Sequence, residues 1–182
     1  MNTNILLGVT GSVAATLTLQ LTESLKKIGN VKVVSTKSAL HFFKIEEVDA
    51  QVLTDEDEWG ESYERGQPVL HIDLSKWADV LLIAPLSADT LAKLAHGRCD
   101  NLLTCVVRAW DMKKPLVVAP SMNTHMWEHS ATSEHLSTLE RWHGDKLHII
   151  DPVEKTLACG DVGMGAMASI DQICSAIQEI SS

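Results

Sequence analysis

Apolar residues Val13, Leu17, Leu21, Leu25 and Ile28 recur at helical spacing behind a short apolar run and a glycine-containing turn. That pattern predicts an opening strand and then a helix ending at Gly29–Asn30. "VKVVST" reads as a second strand, and a strand–helix–strand unit completed by Thr36 requires parallel pairing through a right-handed crossover. The alternation continues with "ADVLLIAP" as a central strand, "SADTLAKLAHG" as a helix closed by Gly97, and "DNLLTCVVRAWD" as a helix with Asp100 as its cap. "PLVVAP" is the next strand, Glu134–Trp142 belongs to a following helix, "KLHIIDP" is a late strand, and "SIDQICSAIQEI" is a terminal helix. The sum is a single α/β domain over residues 1–182, an open and mostly parallel sheet with helices on both faces.

Two stretches break the pattern. From Lys44 to Gln67 the chain is acidic and poor in continuous apolar runs, which reads as a surface excursion with one short strand at Ala50–Leu53. "LACGDVGMGAMA" is dense in glycine and methionine, and such density argues against a regular helix or strand and for a flap around residues 153–168. In open parallel sheets ligands sit outside the carboxyl ends of the strands. The loops Gly8–Ser12, Pro85–Thr90 and Pro120–Trp127 fall there.

Composition narrows the function classes. A formal charge of -9 removes the electrostatic footprint of a general nucleic-acid binder. Phosphate on a small ligand remains open, because helix N-termini and backbone N–H groups bind it locally. Cys99, Cys105, Cys159 and Cys174 show neither CxxC spacing nor a dense framework, the usage of a reducing, cytoplasmic setting. No apolar run approaches the length of a membrane span, and neither HExxH nor a Cys/His cluster points to a metal.

Several motifs carry candidate chemistry. "GVTGSVAA" puts Gly8, Gly11 and Ser12 at a strand-to-helix turn, where the backbone and a hydroxyl approach a phosphate or simply form a tight turn. It is neither the dinucleotide fingerprint nor a Walker loop. "STKSALHFF" offers Ser35, Thr36 and Ser38 without the acidic residue an NAD ribose prefers, and a capped helix explains it equally well. His71 opens "HIDLSKW" just ahead of the central strand, and Asp89 and Thr90 stand early in a helix where capping alone accounts for an Asp. "PSMNTHMW" places Asn123 beside a strand end among Met122, Met126 and Trp127. An amide there both donates to a carboxylate and accepts from another amide, whereas Met and Trp alone read as core. Cys159 stands among Gly160, Gly163 and Gly165, and a thiol near its usual pKa is a protonated acid at neutral pH.

In order and spacing, "GVTGSVAA", "TKSALHFF", "TDEDEW", "VLHIDLSKWADVLLIAPLSADTLAK", "CDNLLTCVVRAWD", "KPLVVAPSMNTHMW" and "ACGDVGMGAMA" resemble the homo-oligomeric flavin-containing cysteine decarboxylases over nearly the whole chain. The resemblance implies a flavodoxin-like (Rossmann-like) fold, FMN as cofactor, and a homotrimer with sites between subunits. It further implies decarboxylation of 4'-phospho-N-pantothenoylcysteine to 4'-phosphopantetheine in coenzyme A biosynthesis. Carried over onto this chain, His71 assists proton movement near the flavin, and Asn123 binds the substrate carboxylate with Met126 close by. Cys159 protonates an ene-thiolate, and Lys76 is a point charge for the substrate phosphate. FMN falls to Gly8, Thr10, Gly11, Ser12, Thr36, Ser38 and Ser87. Two positions depart from the family pattern: Asp89 stands where Asn is usual, and Ser75–Lys76 where two arginines are common. A regulatory subunit that binds a protein phosphatase, and a peptidyl-cysteine decarboxylase, are the alternative readings.

Overall fold

The computed structural model describes residues 3–60, 62, 64–156 and 162–181. Strand β1 (Thr3–Val9) leads through a 3-10 turn (Val13–Leu17) into helix α1 (Thr18–Leu25) and back as β2 (Gly29–Ser35). The acidic stretch holds β3 (Gln51–Leu53) and α2 (Asp55–Trp59), followed by α3 (Leu70–Trp77) and β4 (Val80–Leu86). Next come α4 (Ala88–Ala95), α5 (Leu102–Arg108), β5 (Leu116–Pro120), α6 (Thr124–Trp127), α7 (Ser130–His143) and β6 (Leu147–Ile149). The chain closes with β7 (Val153–Thr156), β8 (Val162–Ala166) and α8 (Ile170–Ile180).

Strands β1 to β6 form one parallel sheet in the order β3-β2-β1-β4-β5-β6. The chain winds outward from β1 to β3 and then back across to β4, β5 and β6, so the direction of winding reverses between β1 and β4. That reversal opens a crevice at the carboxyl ends of these two strands.

Burial follows the strand period. In β1, Ile5, Leu7 and Val9 face one layer together with Leu21 and Leu25 of α1 and Ile173 and Ile177 of α8. Leu6 faces the other, with Leu74 of α3, Leu91 of α4, Leu103 and Val106 of α5 and Leu139 of α7. Every residue of β4 is buried, as expected for a central parallel strand covered on both faces.

The α/β architecture agrees with the pattern-based expectation, while four local details differ. The first helical segment starts as a tighter 3-10 turn, and Gly29 and Asn30 open β2 rather than ending a helix. A Cβ at Gly29 would run into the Thr3 carbonyl, so this glycine serves strand approach and not a C-cap. The cap of α5 is Asn101, whose Oδ1 accepts from Thr104 N at 2.8 Å, while Asp100 pairs with Arg98 and Lys93. The glycine-dense segment contains a true strand, β8, antiparallel to β7. Its glycines admit close approach: Gly165 has φ +130° and lies against the Met122 carbonyl, a conformation closed to other residues. "LHIDLSKW", to which the pattern assigned no element, is a helix of its own. Among the described residues no helix is long and apolar enough to cross a membrane.

Candidate functional site

A cleft of about 650 Å³ opens at the carboxyl edge of the sheet, where the winding reverses. Three strand-end loops build it: Gly11–Ser12 after β1, Ser87–Asp89 after β4, and Ser121–Asn123 after β5. Ser12 caps the helical segment that follows it, accepting from Ala14 N, and its hydroxyl donates to Ser121 Oγ at 3.0 Å. Ser87 caps α4 by accepting from Thr90 N at 3.3 Å. Each hydroxyl is thus fixed by the end of the element it begins, which presents the loops to the cleft in a defined arrangement. Val13, Phe42 and Met167 add apolar surface. The lining is therefore hydroxyl-bearing and apolar, the mixture typical of a small-molecule site.

Asn123 sits at the rim as the N-cap of α6, its Oδ1 accepting from the His125 N–H at 2.9 Å. That bond uses the oxygen end of the amide and orients its NH2 group as a donor. Met122 N donates to the Gly165 carbonyl at 2.9 Å, and a Cβ at Gly163 would strike Thr124. The β7–β8 pair therefore docks on the Asn123 loop through its glycines. Met126, 48% exposed, lies on the same wall. Cys159 lies outside the described residues.

Asp89 is the one ionisable residue lining the cleft among the described residues. Its carboxylate is mostly exposed and pairs with Lys93 at 3.3 Å, one helical turn on. The cap of α4 is Ser87 and not Asp89, so the carboxylate stands in the first turn, where the helix dipole favours it.

Other sequence-predicted positions are structural braces in this chain. Gly8 is buried beneath α5: a Cβ there would meet Leu103 Cδ1 at 2.6 Å. Thr10 is fully buried and ties two strand ends together, donating to the Pro85 carbonyl at 2.7 Å and accepting from Ser87 N at 2.8 Å. Thr36 Oγ1 lies 3.3 Å from the Val9 carbonyl and 3.2 Å from Ser38 Oγ. A Cβ on Gly11 would reach Ser38 Oγ at 2.5 Å, so the β1 and β2 loops touch at this glycine. Gly8, Thr10, Thr36 and Ser38 are not among the lining residues, whereas Gly11, Ser12, Ser87, Asn123 and Met126 are.

His71 and Lys76 stand elsewhere, on α3, and neither lines the cleft. His71 is joined to a residue that sequence reasoning missed. Glu58 of α2 has a side chain only 6% exposed, and its two oxygens take the His71 backbone N–H at 3.0 Å and the imidazole Nδ1 at 2.5 Å. Its signal in the sequence was an acidic run that read as solvated surface. Near this corner, burial first, then the neighbouring Cys99 and Glu58, push the Cys105 thiol up to about 11.

Residues 1–182 match the Flavoprotein family. The chain belongs to that family. As a member it is 48% identical to a phosphopantothenoylcysteine decarboxylase of Oryza sativa subsp. japonica, over 96% of this chain and 79% of the relative. The solved structure of a cysteine-to-serine mutant of PPC decarboxylase, complexed with pantothenoylaminoethenethiol, superposes with a TM-score of 0.95 at 46% identity, covering 100% of this chain and 99% of that one. The FMN-binding protein AtHal3 superposes with a TM-score of 0.90 at 48% identity, covering 98% and 96%.

Proposed function

We propose that this family member is an FMN-dependent decarboxylase that converts 4'-phospho-N-pantothenoylcysteine to 4'-phosphopantetheine and carbon dioxide in coenzyme A biosynthesis. The observation that carries the reading is a hydroxyl-lined cleft at the winding reversal with the Asn123 amide on its rim. Near-full-length identity of 48% to a relative bearing that activity supports it.

The residues present fit the cofactor. Ser12, Ser87 and Ser121 supply hydroxyls for a phosphate and polar ring edges, and Val13, Phe42 and Met167 supply apolar contact for a planar ring system. Bound FMN supplies a two-electron acceptor and donor for the cysteinyl carbon–sulfur unit, so the reaction as a whole has no net redox change. Asn123 holds the substrate carboxylate through neutral N–H donors. An amide binds it without the strong ion pair of an arginine, which would stabilise the ground-state carboxylate against leaving as carbon dioxide. Met126 packs beside it. Cys159, assigned from the sequence, hands a proton to the ene-thiolate carbon skeleton left behind.

His71 and Lys76 enter through assembly. They lie on α3, off the cleft that bears Asn123, and a homotrimer in which one subunit's α3 completes its neighbour's cleft brings the two sets together. Lys76 is exposed on α3 and available to a phosphate, and His71 assists proton movement. The described cysteines Cys99, Cys105 and Cys174 are free thiols, which supports a cytoplasmic location. The test is direct: FMN-loaded protein given 4'-phospho-N-pantothenoylcysteine releases carbon dioxide and forms 4'-phosphopantetheine. Loaded protein without carbon dioxide release removes the reading, and sedimentation at a monomer mass removes the trimer.

A further inference from the structure

The short acidic helix α2 has its carboxylates divided among distinct internal tasks. Asp55 Oδ1 accepts from Leu102 N at 2.8 Å and so satisfies the first N–H of α5, beyond the Asn101 cap. Asp57 Oδ2 accepts from Thr54 N at 2.7 Å and closes the capping box of α2 itself. Glu58 turns inward to His71. With α2 tied at both its start and its partner helix, Glu58 is presented by a fixed platform rather than by a mobile loop.

The geometry at His71 is bidentate. Its backbone N–H is one of the donors that the first turn of a helix leaves without an intrahelical partner, and Val69, the N-cap of α3, makes no side-chain cap. Glu58 Oε2 takes that N–H at 3.0 Å, and Oε1 lies 2.5 Å from Nδ1 of the same residue. An ionised carboxylate only accepts, so Nδ1 carries the proton, and in the neutral ring Nε2 is the lone-pair nitrogen. Two bonds from one carboxylate to one residue fix both the ring's rotation and its tautomer. The carboxylate is 6% exposed and the imidazole 24%, so water competes weakly for the inner bond while the ring keeps an outward edge.

We propose that Glu58 is a positioning residue that holds His71 in the Nδ1–H tautomer with Nε2 presented outward as proton acceptor. The inference rests on the assignment of His71 to proton movement in the proposed reaction. Glu58 acts through the imidazole, and a cap for α3 is only half of its role.

The carboxylate-to-amide change separates the two halves. In Glu58→Gln the side chain offers one acceptor and one donor group. The backbone N–H of His71 claims the acceptor, which leaves the NH2 facing Nδ1 and drives the ring proton to Nε2. A comparable change behind a catalytic histidine reduces turnover by up to about 10^4-fold. FMN-loaded Glu58→Gln is expected to lose on the order of 10^2-fold or more in kcat, with KM within about threefold and the flavin still bound. Nitrogen-15 NMR should report neutral His71 protonated at Nδ1 in the parent and at Nε2 in the variant. A variant with kcat within twofold of the parent overturns the inference, as does a parent whose neutral His71 carries its proton on Nε2. The parent spectrum decides the matter even if the variant does not fold. His71→Gln separates the levels: full turnover there overturns the assignment of His71 itself, whereas lost turnover there with an active Glu58→Gln overturns only the role of Glu58.

Discussion

The cleft at the winding reversal and the corner between α2 and α3 are built on opposite principles. In the cleft, small residues bring backbones together and hydroxyls cap the elements they begin: Gly11 against Ser38, Ser12 against Ser121, Ser87 on α4. Asp89, the one lining carboxylate among the described residues, is turned out to Lys93. In the corner, charge is drawn inward, with Glu58 buried on His71 and Asp55 taking the first N–H of α5. A cleft without lining cations among the described residues binds anions through N–H and O–H donors, free of the desolvation penalty of buried cations. A buried carboxylate is worth its own desolvation only where it fixes another group. The division of labour is that one region holds and the other orients.

The sharpest way to break this comparison is to add a second carboxylate to the cleft. Asn123→Asp keeps a good N-cap for α6 and places a carboxylate against the substrate carboxylate. We expect kcat/KM for decarboxylation to fall by roughly 10^2 to 10^3-fold with FMN retained, and near-parental rates in a steady-state assay would remove Asn123 from carboxylate binding.

The second probe asks whether the corner is as closed as its geometry implies. Burial raises the Cys105 thiol to about 11, so it stays protonated through neutral pH, and at pH 8 only about one thousandth is thiolate. Iodoacetamide labelling followed by mass spectrometry should therefore modify exposed Cys99 ahead of Cys105. Labelling of Cys105 should quicken about tenfold per pH unit from 8 to 10, since thiolate grows as pH approaches a raised pKa. Equal labelling at pH 8 would show an open corner.

A smaller effect separates packing from ligand contact at the first glycine. Gly8→Ala presses a methyl on Leu103, 2.6 Å from its Cδ1, and should destabilise by about 1–3 kcal/mol, roughly 3–10 °C in Tm, leaving the FMN dissociation constant unchanged. Calorimetry and flavin titration read the two quantities apart, and weakened FMN at unchanged Tm would return Gly8 to the ligand. The smallest change is expected for Asp89→Asn. It removes an exposed carboxylate from the cleft lining and its pair with Lys93, a loss worth under about 1 kcal/mol. FMN affinity should rise by about two- to fivefold at low salt and the gain should fade as salt screens it. An unchanged or weaker affinity would place Asp89 away from any bound phosphate.

Much of the layout was legible in the amino-acid pattern, and the places where the fold differs are instructive. The parallel alternation around β4 was readable because a doubly covered strand is apolar at every position. The loops that line the cleft were readable because Ser12, Ser87 and Asn123 are cap residues standing at strand ends. Gly8, Thr10 and Thr36 drew the same reading; in this chain Gly8 packs under α5, while Thr10 and Thr36 tie strand ends together. Strand β8 was hidden because glycine has low strand propensity in isolation. Its glycines are favoured here by what they face, the Met122 carbonyl and Thr124.

The amino-acid sequence by itself determined the succession of strands and helices, the parallel winding and the loops that meet at the sheet's carboxyl edge, since periodicity and caps are local properties felt within one turn. Only the tertiary structure decided which polar groups are neighbours. Glu58 reaches His71 across 13 positions, and Asp55 reaches the start of α5 across 47. In the sequence these carboxylates are indistinguishable from the exposed Glu56 between them. Their roles exist because closing the sheet brings helix starts with unpaired N–H groups against α2, and a buried donor without an acceptor is too costly to leave.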